Sequence, residues 1–407
     1  MAAAVSAVAI VVYGVAGGAG APAAGAATAR SASTGVCGTV PTQMPADPNG
    51  LLRALPARIR AGYNGLGVAI QPSPWAHWKP RHAAPYTVGV EFPNTQTPFG
   101  AEFVNRMQQL GHMDKKISHV IVRVANNSVS TQVQQLNELI RSHVDIIIGG
   151  SLSLQATAPI VAQAQKAGIP YIEFTDTSPG PGAIGFFTNP WLSAAQAAQR
   201  LVGYIHDKGR VLMVHGIPQT EIDQATFAGA LAVFKQCPGI QTVGNLIGLF
   251  APPVAKGVTL QYLSANPQLV DAAFQTAGMA VGILQAFVQT GRTVPPLADL
   301  GATPGFLAYW NEHQSTYHAV ASGFGAQTIS DLVWNLAMRT LGGDGPKLNN
   351  IFLPSILITN RNLKQWVKPG WTANTIAPAY AEPPSVSQLV TQAEWSSFFN
   401  KPGVGAA

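Results

Sequence analysis

From Tyr86 onward the chain alternates short apolar runs with amphipathic stretches of about a dozen residues, and this period constrains the fold more than any other feature. Thr87–Phe92 (TVGVEF), Ser118–Val124, Asp145–Ile148 and Pro170–Phe174 read as strands. Between them, Pro98–Leu110, Ser130–Ser142 and Gln155–Ala167 carry apolar residues at helical spacing. Strands that are apolar throughout are buried on both faces, which argues for parallel βαβ units. A Pro-Gly-Pro-Gly loop at 179–182 interrupts the pattern, and then it restarts. Helices are predicted at Trp191–His206, Gln224–Gln236, Ala255–Ser264, Met279–Thr290 and Gly305–Asn311. Strands are predicted at Arg210–His215, Thr242–Leu246, Val270–Phe274 and Leu297–Leu300. Two such runs predict an α/β fold of two doubly wound parallel-sheet lobes. Sheets of this kind bind ligands outside the carboxyl ends of their strands, so two facing lobes create a cleft.

Composition narrows the function classes. Charged residues make up only 10% of the 407 residues, against about 25% in an average soluble chain. The net charge is +6, but no basic run exceeds Lys115-Lys116, so there is no clustered stripe for nucleic acid. Two cysteines exclude a disulfide-dense scaffold and a CxxC metal site. His112 and His119 lack metal-ligand spacing, and neither HExxH, a Walker A loop nor GxSxG occurs. No cofactor is expected. A secreted hydrolase would need a nucleophile with a base, or paired carboxylates. Few carboxylates offer themselves: Asp176 and Asp299 near predicted strand ends, and Glu91 at mid-strand.

The two ends of the chain differ from its middle. Residues 1–29 carry no charged side chain, hold an apolar run over Val5–Val15 and reach Ala27-Thr28-Ala29, the pattern of a signal peptide and its cleavage site. The run is shorter than the about 20 apolar residues of a membrane span. Export predicts an extracytoplasmic, soluble mature chain. Thr34-Gly35-Val36 before Cys37 does not fit a lipoprotein signal, which disfavours a lipid anchor. Cys37 and Cys237 either pair in an oxidising compartment or stay free thiols. Residues 30–85, rich in Pro and Trp, read as a wrapping extension with one short helix near Leu51–Ala61. The tail at 381–407 has three aromatics, Trp395, Phe398 and Phe399, suited to docking on the body or, alternatively, to a partner contact.

Six segments in order resemble the type I periplasmic sugar-binding proteins of the ribose/galactose kind. They are Ala125–Ser151, Ala164–Phe174 (AQKAGIPYIEF), Phe187–Gln199, Gly216–Phe234, Thr303-Pro304-Gly305 and Leu353–Leu363 (LPSILITNRNL). The segment Ser73–Pro85 is similar to a prelude in some actinobacterial-type members. The resemblance implies an extracytoplasmic solute receptor, a monomer, that captures a small molecule and delivers it to an ABC permease. A ligand-sensing partner of a membrane receptor or kinase shares the fold and is the alternative. A repressor of the lactose type would need an N-terminal helix-turn-helix, at odds with the charge-free start. The implied layout is lobe 1 at 86–189 plus 325–354 and lobe 2 at 190–324 plus 355–380. Crossovers near Thr188–Pro190, Ser322–Gly325 and Pro354–Ile358 would form a three-strand hinge.

The same resemblance nominates ligand-binding positions, and there the sequence departs from the family. The first loop reads Thr97-Pro98-Phe99-Gly100, keeping one of two expected aromatics. An Asp-Arg pair is replaced by Thr175-Asp176, an Arg by Thr226, an Asn-Asp pair by Thr276-Ala277, and a Gln by Ser322 or a neighbour. An Asp before the Thr-Pro loop is Gly301, with Asp299 displaced by two. With Phe92, Asn94, Ser151, Trp191, His215, Gln219 and Phe250 these complete the candidate set. Several have bland readings: Phe92 as core, Trp191 as a helix cap, His215 as a satisfied polar group and Asp176 as a turn cap. Charge-assisted, bidentate bonds discriminate sugar hydroxyls. Their loss predicts a less polar ligand, held by shape and a few hydrogen bonds, and not a simple pentose or hexose.

Overall fold

The computed structural model describes residues 37–174, 176–218 and 220–401. Two six-stranded sheets organise them. The first contains β1 (Tyr86–Phe92), β2 (Ile117–Val124), β3 (Ile146–Gly149), β4 (Tyr171–Phe174) and β5 (Ala183–Thr188). The second takes β6 (Lys208–His215), β7 (Gly239–Ile247), β8 (Ala272–Gln275), β9 (Leu297–Asp299) and β10 (Val320–Ser322). The last two strands divide: β11 (Asn350–Leu353) joins β5 in the first sheet, and β12 (Leu357–Ile358) joins β10 in the second. The strand orders are β11-β5-β4-β3-β1-β2 and β12-β10-β9-β8-β6-β7, parallel throughout except for the β10–β12 pair.

The apolar runs account for this arrangement. All of β3 and β4 and most of β1 are buried, and they pack with the helix Ala326–Leu341 into one core that holds Val88, Ile148, Phe174 and Trp334. The second sheet has a core on each side, one with Leu212, Phe306 and Trp310, the other with Met213, Phe234 and Phe274. The chain passes between the two bodies after β5, after β10 and between β11 and β12. Helices that follow the first sheet's strands start on capping residues. The side chains of Thr97, Ser128, Ser153 and Asn189 accept from the N–H of Gly100, Thr131, Ala156 and Leu192. Each cap meets a helix N–H that has no intrahelical partner.

Several elements differ from the sequence reading. No strand was expected at β5 or β11, because Gly185 and the adjacent Pro-Gly loop mask the first and a single polar Asn350 opens the second. The β7 strand runs over Gly239–Ile247, longer than Thr242–Leu246, and it alternates exposed and half-buried positions as an edge strand does. The signal-peptide reading of residues 1–29 lies outside the described residues.

The segments over 37–75 and 395–399 are fastened to the sheets. Cys37 forms a disulfide with Cys237, so the two thiols are paired. Thr39 N donates to Gln236 Oε1 beside it (3.1 Å). Further along, the Tyr63 hydroxyl donates to Asn350 O (2.7 Å) and Trp75 Nε1 to Gly182 O (2.9 Å), both in the first body. At the other end Trp395, Phe398 and Phe399 are buried in the first core, and Trp395 Nε1 donates to Asn335 Oδ1 (2.8 Å).

Candidate functional site

The carboxyl ends of the strands in both sheets open onto one cleft of about 250 Å³. From the first body come Phe92, Asn94, Thr97, Phe99, Asn127, Ser151, Asp176 and Phe187. From the second come Ile217, Thr220, Glu221, Thr226, Phe250, Thr276 and Thr303. The crossings add Thr188, Ser193, Ser322 and Phe324, and the chain near its C-terminus adds Thr375, Ile376, Ala379 and Tyr380. The lining is mostly apolar, with hydroxyls and amides at intervals, the usual make-up of a small-molecule site. Its only charged side chains, among the described residues, are the acids Asp176 and Glu221.

Of the candidate residues, Phe92, Asn94, Thr97, Phe99, Ser151, Asp176, Phe250, Thr276 and Ser322 share this cavity. Thr175 and Gln219 lie outside the described residues. Three others, Trp191, His215 and Asp299, are not part of this lining. Trp191 is buried at 8% exposure, and its ring packs so closely on Gly65 that a Cβ there would lie 1.9 Å from the ring. His215 turns away to bond Asp223 Oδ2 through Nδ1 (2.7 Å) and to stack on Phe227 (3.4 Å between centroids). Asp299 is fully buried behind the wall and accepts from Thr303 N (2.6 Å), Thr303 Oγ1 (2.7 Å), Gly301 N (3.1 Å) and Gln275 Nε2 (2.8 Å).

Aromatic rings shape the cavity. Phe99 stacks near Phe103 (6.5 Å) and Phe174 (6.2 Å) and meets Tyr380 (5.3 Å). Phe92 is only 7% exposed and packs on Phe103 (5.1 Å), so it shows an edge to the cleft while serving the core. Phe250 follows Leu249 with both residues at positive φ (57° and 55°). Non-glycine residues there are strained, commonly at functional sites. Gly216 makes the placement feasible, because any Cβ at that position would lie 2.0 Å from the Phe250 ring.

Burial sets the electrostatics. Asp176 is pushed up to about 7, first by desolvation and further by Glu221, against the opposing N–H of Thr177. Beneath the floor, burial raises Glu91 to about 8 despite the bond from Gln132 Nε2 to its Oε2 (2.7 Å). Burial also raises Glu173 well above the carboxylate range, although Ser151 donates to it through Oγ (2.5 Å) and N (2.9 Å). Glu91 and Asp176 add repulsion. Ser151 thus joins the cleft wall to a buried acid layer. The described residues contain no group of three His, Cys, Asp or Glu side chains able to hold a metal ion.

Tyr380, Ile376 and their neighbours escaped the sequence reading because they lie past the sheets, where no β–α period marks a strand end. Phe187 lies at the end of β5 just before one crossing and Phe324 sits on another, and their aromatic character beside a hinge was the available signal.

Two parallel sheets joined by three crossings, with a cleft at their strand ends, define a two-lobed solute-binding architecture. The family model for the periplasmic binding protein domain matches residues 88–337, and the chain belongs to that family. A xylitol-binding protein of Mycolicibacterium smegmatis is 27% identical over 178 residues, 43% of this chain and 51% of the relative, so the match spans about half of that relative's length. An ABC transporter solute-binding protein from Thermobispora bispora superposes with a TM-score of 0.64 at 22% identity, covering 74% of this chain and 93% of the other. One from Bacillus halodurans with bound myo-inositol gives 0.63 at 19% identity, covering 70% and 98%. One from Mycobacterium smegmatis with bound glycerol gives 0.62 at 15% identity, covering 71% and 99%. At these identities the structural likeness speaks for the fold.

Proposed function

We propose that this chain is an extracytoplasmic receptor that captures a small, multiply hydroxylated solute, a polyol or cyclitol and not a simple monosaccharide, and presents it to an ABC permease. The carrying observation is the cleft lining. Hydroxyls and amides such as Asn94, Asn127, Ser151 and Thr303 stand among aromatic faces, and no Arg or Lys is present among the described lining residues to grip a sugar bidentately. The relatives that carry xylitol, myo-inositol and glycerol in their names agree in ligand chemistry. The Cys37–Cys237 disulfide supports an oxidising compartment. In this reading the lobes are 86–189 with 325–354, and 190–324 with 355–380, and they close on the solute about the three crossings. Binding to a folded receptor raises its melting temperature by mass action. Xylitol or myo-inositol is expected to do so and to titrate calorimetrically, with ribose and glucose inert. Micromolar binding of either monosaccharide, with no polyol bound, would sink the ligand assignment.

A further inference from the structure

We propose that Tyr380 is a ligand-contacting residue, held in the cleft by a C-terminal return over residues 375–382 that forms a third wall of the site. The inference deepens the receptor reading and rests on it. Residues 338–407 lie beyond the matched part of the family model, so this wall comes from outside the matched segment.

The return is bonded to both bodies. On the second, Ala381 N donates to Ala302 O (2.9 Å), and the Tyr380 ring lies over Gly278 and Gly301. A Cβ on Gly301 would come within 2.9 Å of ring Cε1, and one on Gly278 within 3.1 Å of the Tyr380 hydroxyl. On the first, Ala379 N donates to Glu102 Oε1 (2.9 Å). The Glu382 carboxylate accepts from Gln327 N (3.0 Å), Thr328 N (3.1 Å) and Thr328 Oγ1 (2.6 Å) at the start of the helix Ala326–Leu341. Five bonds to two bodies hold the chain on both sides of Tyr380. Its ring meets Phe99, and both line the cavity.

The hydroxyl is the telling group. Among the described residues no hydrogen bond to it is formed, although the ring is half-buried in the lining. A tyrosine combines an apolar body with a polar tip that takes a partner when buried. A hydroxylated solute lying against the Phe99–Tyr380 pair supplies that partner and covers the ring.

The test is calorimetric titration of the full chain with xylitol and with myo-inositol, for the unaltered protein, Tyr380→Phe and Tyr380→Ala. Loss of one net hydrogen bond is expected to weaken binding of the bound polyol about two- to ten-fold in Tyr380→Phe, with an unchanged melting temperature for the ligand-free protein. Tyr380→Ala is expected to lose more than about ten-fold, since the ring contact goes too. If the alanine variant does not fold, the phenylalanine variant decides, because it keeps the ring. Affinity of Tyr380→Phe equal to that of the unaltered chain overturns the proposal while leaving the receptor reading intact. Failure of the unaltered chain to bind either polyol overturns both.

Discussion

Below the cleft, the second body holds Asp299 and Asp223 with their oxygens claimed by donors. Asp299 accepts four bonds, and Asp223 takes Gly216 N (2.7 Å), Thr276 Oγ1 (2.5 Å) and His215 Nδ1 (2.7 Å). In the first body Glu91 is as deeply buried but has a single side-chain donor, Gln132, and its Oε1 has no partner. Burial accordingly raises Asp299 only to about 6 but Glu91 to about 8. Donors aimed at an ionised oxygen offset desolvation, and a carboxyl lacking them keeps its proton instead. At pH 7 Asp299 serves the second body as an ionised rivet for its loop. The first body stores Glu91 and Glu173 protonated under the ligand floor.

The largest test of this contrast applies the same isosteric change to both acids and expects opposite signs. Asp299→Asn turns an NH2 group toward donors that have nothing to accept it, so we expect a loss of about 3 kcal/mol in a denaturant titration at pH 7. A smaller loss than that of a surface Asp→Asn control would contradict the rivet role. Glu91→Gln removes a group whose ionisation the fold opposes. The unfolded chain releases that proton near pH 4.5, whereas the folded chain keeps it until about 8. Stability from this site is therefore fully present below pH 4.5 and lost as pH rises through that window. Glu91→Gln should gain about 2 kcal/mol over the native chain at pH 8 and nothing at pH 4, read as a flattened stability–pH curve. Equal curves for the two proteins would show that Glu91 titrates freely.

This contrast was invisible in the sequence, and its invisibility follows from what sequence patterns encode. The alternation of TVGVEF-like strands with helices such as Ser130–Ser142 fixes which segments are buried, and hence the two sheets. Positions tied to a strand end, such as Thr97, Phe99 and Thr276, were therefore legible as cleft residues. Side-chain direction was not. His215 ends β6 as expected but is turned aside by Asp223, eight residues on, and Asp299 is turned inward by the Thr303 loop. Trp191 opens its helix as expected, yet its ring meets Gly65 of the N-terminal segment, a contact across more than a hundred residues that no local period reports. Tyr380 shows the same failure in reverse, since it reaches the cleft through loop bonds to Glu102 and Thr328.

Ser151 is where the protonated store meets the cleft, and it carries the smallest expected effect. Its hydroxyl and its N–H both donate to Glu173, and Tyr171 adds a longer contact (3.4 Å). Ser151→Ala removes the hydroxyl and leaves the N–H, which is set by the backbone of the loop after β3. The lost donor favours the ionised form of Glu173, so its removal raises that carboxyl further. The cost, about 1 kcal/mol, should appear as pH rises and Glu173 is forced to ionise, and shrink in acid where the carboxyl is neutral in both proteins. Urea titrations of both chains over a pH series rising from pH 5 read it directly. A penalty independent of pH would mean that Ser151 acts on loop packing alone and that the acid layer is electrostatically separate from the solute's wall.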